Sequence, residues 1–156
     1  MKDYLDFRGR KAVVTGGRRG LGRAMTLALA QRGASVAVIS KSPEAGALME
    51  QIRECGGEGC YFSADLARPE DREGLIEKVV ERWNGIDILV NNAGLQFADS
   101  AETCSPEQWK CSEAVLLDAV YDLSRQAIPY MKQQKSGKII HIASICAFRE
   151  GGWNFS

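Results

Sequence analysis

The sequence predicts a doubly wound α/β fold, a parallel sheet with helices on both faces and strands in the order 3-2-1-4-5. Three observations carry this. Short, β-branched, mostly apolar segments alternate with longer stretches of helical periodicity. The short segments are apolar on both faces, as strands covered from both sides are. No linker, internal repeat or low-complexity run breaks the alternation, and right-handed crossovers then leave few topologies.

The first strand is KAVVT, residues 11–15, and a glycine-rich turn leads from it into a helix over Leu21 to Arg32. Gly33 ends that helix before the second strand, SVAVIS, at 35–40. A second helix is expected over Pro43 to Cys55, because Ser42-Pro43 puts a capping hydroxyl before a proline at the first helical position. Gly56-Gly57 then stops it, and GCYFS at 59–63 is the third strand. From Pro69 to Trp83, Leu75, Ile76, Val79, Val80 and Trp83 recur at three- and four-residue spacing and make one apolar stripe, a third helix. After Gly85 the fourth strand is IDILVN, 86–91. The last helix is expected from Pro106 to about Gln133, opened by a capping box of Ser105 and Gln108. KIIHIAS, 138–144, is the fifth strand and closes on Ser144.

At 156 residues the chain fits one domain, 1–156. A formal net charge of zero supplies no general pull toward nucleic acid or an anionic membrane, so any anion site must be local. The N-terminal MKDYLDFRGRK lacks the apolar run of a signal peptide, and no stretch is long enough to span a bilayer; the expected compartment is the cytoplasm. Cys55, Cys60, Cys104, Cys111 and Cys146 are odd in number, form no Cys-x-x-Cys pair, and accompany a single histidine, His141. Reduced thiols are expected, with neither a disulfide framework nor a metal site.

In doubly wound sheets ligands bind beyond the carboxyl ends of the strands, where the strand order reverses. After the first strand comes TGGRRGLGRAM, with Gly16, Gly20 and Gly22 in the turn that opens a helix. Glycine there lets the backbone approach a pyrophosphate, which rests on the free N–H groups and positive dipole end of the helix. A P-loop is the competing reading. Gly17 and Gly22 have its spacing, but Arg23-Ala24 replaces the Lys-Ser/Thr that would hold phosphate and magnesium. Alone, the glycines would also suit a plain tight turn.

Thr-Gly-x-x-x-Gly-x-Gly at 15–22, Asp65-Leu66 after the third strand and NNAG at 91–94 after the fourth together resemble the short-chain dehydrogenase/reductase family. The resemblance runs along the whole chain but over only somewhat more than the first half of a typical family subunit. It implies a Rossmann-type fold whose C-terminal strands are missing here. It further implies that Gly16, Gly20, Leu21 and Gly22 cradle the cofactor's phosphates and that Asp65 and Leu66 meet the adenine. Asn92, Ala93 and Gly94 would lie along the riboses, and Ser144 would hydrogen-bond the substrate carbonyl.

The choice of cofactor follows from chemistry at the second strand. An NAD site ends that strand with a carboxylate for the ribose 2′-OH, whereas VISKSPE has Ser40 and Lys41 there. A hydroxyl and an ammonium suit a 2′-phosphate, and Arg19 can close on the same group, so NADP(H) is expected; Arg18 and Arg23 read as solvated surface charges. Two departures from the family pattern stand against this. The position of a relay asparagine, seven residues beyond Trp109, holds Leu116, which reads as an ordinary core residue of an amphipathic helix. The family's Tyr-x-x-x-Lys, expected about a dozen residues after Ser144, does not occur before Ser156, so the chain resembles a member truncated just before that motif and as given is expected not to turn over. Two readings follow: an NADP(H)-dependent oxidoreductase of small-molecule alcohols or carbonyls, homo-oligomeric in a full-length parent, or a non-catalytic nucleotide-binding or interaction module.

Overall fold

A computed structural model describes residues 5–97 and 102–144. Cys146 and the segment after Ser144 lie outside the described residues. Five parallel strands, β1 (Lys11–Thr15), β2 (Ser35–Ser40), β3 (Glu58–Ser63), β4 (Ile88–Asn91) and β5 (Lys138–His141), form one sheet in the order β3-β2-β1-β4-β5. Helices α1 (Gly20–Ala30) and α2 (Leu48–Glu54) connect β1, β2 and β3. The short α3 (Pro69–Arg72) and α4 (Leu75–Trp83) lead to β4, and α5 (Pro106–Glu113), a π-helical turn (Ala114–Asp118) and α6 (Ala119–Gln134) lead to β5.

Alternate residues of β1 and β2 feed two cores, as a doubly covered strand must. Val13, Ala37, Ile39 and Leu89 pack with Ile76, Val79, Leu123 and Ala127 of α4 and α6. Ala12, Val14, Val36 and Val38 pack with Ala30 and Ile52 of α1 and α2. The two-sided burial expected of every strand holds for β1, β2 and β4 but not for β5, where Lys138, Ile140 and His141 are exposed. Among the described residues nothing covers that strand on the α1 side.

Beyond shifts of one or two residues at helix and strand ends and the π-helical turn within the last helix, four departures from the sequence expectation have a tertiary reason. The helix expected from Pro43 begins only at Leu48, because carbonyls that would start it are taken elsewhere: the Tyr61 hydroxyl donates to Ser42 O at 2.7 Å and Arg18 Nε to Glu44 O at 2.9 Å. The helix expected over Pro69 to Trp83 breaks at Gly74, which adopts φ +66°. The side-chain amide of Gln126 on α6 repairs the break, accepting from Ile76 N and donating to Arg72 O. The fourth strand starts at Ile88 rather than Ile86, whose N–H and C=O both bond the amide of Gln134. The fifth stops at His141, with one further bond from Ile142 N to Asn91 O, because β4 itself ends at Asn91. Ser144 therefore lies three residues past the strand rather than at its close. The capping box at Ser105 forms as read.

Candidate functional site

The glycine turn is held in place by β4 as much as by its own sequence. Thr15 is buried, and its Oγ1 accepts from both Asn92 N and Ala93 N at 2.9 Å. Asn92 answers with its side chain, donating from Nδ2 to Thr15 O at 2.9 Å. A Cβ on Gly22 would collide with Gly16 O and Asn92 Nδ2, so only glycine lets the helix start, the turn and the end of β4 meet. Gly20 is different. It needs a left-handed backbone, φ +54°, but no atom lies within 4 Å of where its Cβ would be. Its open side faces space at the start of α1, whose N-cap residue Arg19 makes no side-chain capping bond. A helix of this length that begins at an open, uncapped glycine turn has free N–H groups and a positive dipole end available to an anion. Leu21 beside it is 73% exposed.

The polar corner lies at the ends of β2 and β3, where Ser40 pairs in register with Ser63. Lys41 Nζ reaches Asp65 Oδ2 at 2.7 Å, a pair that sequence spacing alone did not reveal. The hydrogen bond from Lys41 holds the Asp65 carboxyl below the ordinary carboxylate range, and the same bond raises the Lys41 ammonium. Asp65 Oδ1 also accepts from Ala67 N at 3.1 Å. Leu66 turns its side chain into the core and its carbonyl toward Arg72. Arg19 is exposed and, among the described residues, its side chain has no partner. Arg18 and Arg23, read as solvated charges, are instead tethers: Arg18 holds Glu44 O and Arg23 holds Gln51 Oε1 at 2.7 Å.

The end of the site nearest β5 is set by register. Asn91 pairs with His141, so Gly94 and Ser144 each lie three residues beyond opposed positions on neighbouring strands. Leu116 is half exposed rather than in the core, and its Cδ2 lies 3.8 Å from a Cβ placed on Gly94. It sits in the π-helical turn and presents methyl groups, not an amide, to this end of the site. Sequence reasoning also missed Arg72, which is buried and bonds Asp122 Oδ2 at 2.8 Å, Leu66 O at 2.9 Å and Ala114 O at 3.4 Å. Arginine in an amphipathic helix carried no signal of burial. Among the described residues no cluster of His, Cys, Asp and Glu could hold a metal ion, and no helix is long and apolar enough to cross a membrane.

A parallel sheet in this order, with an open glycine turn at the first helix and an interlocked fourth strand, defines a doubly wound, Rossmann-type α/β protein. Comparison with known proteins takes the assignment further. A family model described as short chain dehydrogenase matches residues 10–155, and the chain belongs to that family. It is 34% identical over 152 residues to an uncharacterized oxidoreductase, YgcW, of Escherichia coli strain K12, covering 97% of this chain and 58% of that protein. A metagenomic short-chain oxidoreductase solved in complex with NADP superposes with TM-score 0.87 at 34% identity, covering 92% of this chain and 65% of the other. An NAD+-bound xylitol dehydrogenase superposes at 0.86 with 26% identity, covering 93% and 56%. The chain thus spans little more than half the length of the curated relatives it matches.

Proposed function

We propose that this chain forms the nucleotide-binding part of an oxidoreductase that interconverts a small-molecule alcohol and carbonyl by hydride transfer, with NADP(H) as cofactor. The observation that carries this is the open, uncapped start of α1, with exposed Arg19 as its N-cap residue, together with Ser40 and Lys41 and no carboxylate where β2 ends. The residues fit the group: backbone N–H groups for the pyrophosphate and cations for a 2′-phosphate. Gly16, Gly20, Leu21 and Gly22 hold the phosphates, Asp65 and Leu66 border the adenine, and Asn92, Ala93 and Gly94 line the riboses. Ser144 orients the substrate carbonyl. When bound, the cofactor supplies the hydride.

Leu116 favours a second reading for the chain by itself. Its side chain cannot anchor a relay water, and the sequence contains no Tyr-x-x-x-Lys. The 156 residues should therefore bind nucleotide without turning over.

Titration with NADPH and NADH tests the assignment. NADPH should bind more tightly, and Lys41→Asp should reverse the preference by about ten- to a hundredfold, the range for a charge-assisted contact. Equal affinities for the two cofactors in the unmutated chain would overturn the choice of NADP(H). Carbonyl-dependent NADPH oxidation by this chain, lost in Ser144→Ala, would overturn the expectation that it only binds.

A further inference from the structure

We propose that Asp65 is a positioning residue that sets how strongly the site prefers a 2′-phosphate, by competing with that phosphate for the Lys41 ammonium. The proposal rests on the nicotinamide-dinucleotide reading above and adds to it the residue that tunes cofactor choice. The backbone that carries Lys41 is anchored from two sides: Tyr61 holds Ser42 O and Arg18 holds Glu44 O. The ammonium itself is held by Asp65 at 2.7 Å. Arg68, the other cation acting on Asp65, is committed to Glu70 at 2.7 Å, so Lys41 is the close cationic partner of this carboxylate.

A 2′-phosphate that reaches Lys41 must share it with an ionised carboxylate already in contact. Two anions drawn to one ammonium repel each other, and part of the attraction that would favour NADPH is spent on displacing Asp65. The pair yields because the lysine side chain is 78% exposed, so water competes for its ammonium. Pre-ordering of the lysine stem by Asp65 acts in the opposite direction. With that much exposure the stem keeps most of its rotamer freedom, and electrostatic competition dominates. The carboxylate at the end of β3 therefore moderates a preference that Lys41 and Arg19 establish.

The ratio of NADH to NADPH dissociation constants is the readout, since contacts to the adenine and pyrophosphate are common to both cofactors and cancel. Asp65→Asn keeps the acceptor that Ala67 N uses and removes only the charge. In that variant the ratio should rise about three- to tenfold, Asp65→Glu should leave it within about twofold, and in a Lys41→Met background Asp65→Asn should have no effect. Asp65→Ser serves as a second neutral variant should Asp65→Asn fail to fold. A ratio that stays constant or falls in the neutral variants, with NADPH still bound, overturns the competition and leaves the cofactor reading intact. A ratio that rises equally with and without Lys41 overturns it as well, since the effect would not pass through that ammonium. Failure of the unmutated chain to bind either cofactor overturns the underlying reading and this proposal together.

Discussion

Gly22 and Thr15 show how few atoms hold the site together. Gly22→Ala would push a methyl group against Gly16 O and Asn92 Nδ2, opening the seam between the glycine turn and β4. Overpacking of this kind should cost about 1–3 kcal/mol in chemical unfolding and lower NADPH affinity by about tenfold or more in titration. The glycine spacing made this turn legible in the sequence. The role of Thr15 was not, because a hydroxyl at the end of a strand gives no sign that two amides from another strand converge on it. Cys60 on β3 allows a separate test. Burial pushes its thiol from 9.0 up to about 11. The unfolded thiol ionises first, so its contribution to stability is complete below pH 9 and is lost as the pH rises from 9 to about 11. Melting curves across that window should fall, and in Cys60→Ala the drop should be shallower even if the whole curve lies lower.

At the scale of elements, α6 organises its neighbours through side chains that reach backbone. Gln126 bridges the break between α3 and α4, and Gln134 binds both polar groups of Ile86, two residues before β4. Arg72 links α3, the turn after β3, the π-helical turn and α6 through its three bonds. Replacing it by methionine takes the donor from Asp122 and Leu66 O, while Ala114 O keeps the Ala119 N–H. Breaking a buried pair costs about 3–5 kcal/mol, but Asp122 keeps some contact with water, so Arg72→Met should cost about 1–3 kcal/mol in denaturant unfolding. Nucleotide affinity should fall with it, because Leu66 O is one of the three acceptors. These links were hidden in the sequence because glutamine and arginine at helical spacing look the same whether they face water or mend a neighbouring element.

For the whole molecule, the unequal cover of the sheet has the largest consequence. On the α1 side, an apolar groove of about 430 Å³ runs past Phe7, Met25, Leu29, Ile88, Val90 and Ile140. On the opposite side of the fold Trp109, Leu117 and Tyr121 are exposed along α5, the π-helical turn and α6. Among the described residues β5 pairs only with β4, so its other edge offers unpaired backbone groups. The 156-residue chain should self-associate, visible as a mass that grows with concentration in sedimentation. Protection of β5 amides from hydrogen exchange should grow in parallel. A monodisperse monomer at high concentration with β5 amides exchanging freely would contradict this.

The sequence by itself determined the alternation of strands and helices, the strand order and the position of the glycine turn, because these depend on periodicity and chirality that every residue of an element repeats. It also showed Ser40 and Lys41, rather than a carboxylate, where β2 ends, since the identity of residues at a strand end is a local fact. Only the tertiary structure decided where elements begin and break and what partners the site residues keep. The late start of α2, the mended break at Gly74 and the Lys41–Asp65 pair each depend on side-chain contacts between residues distant in the chain. Such a contact is made by a single side chain and leaves no periodic trace in the sequence.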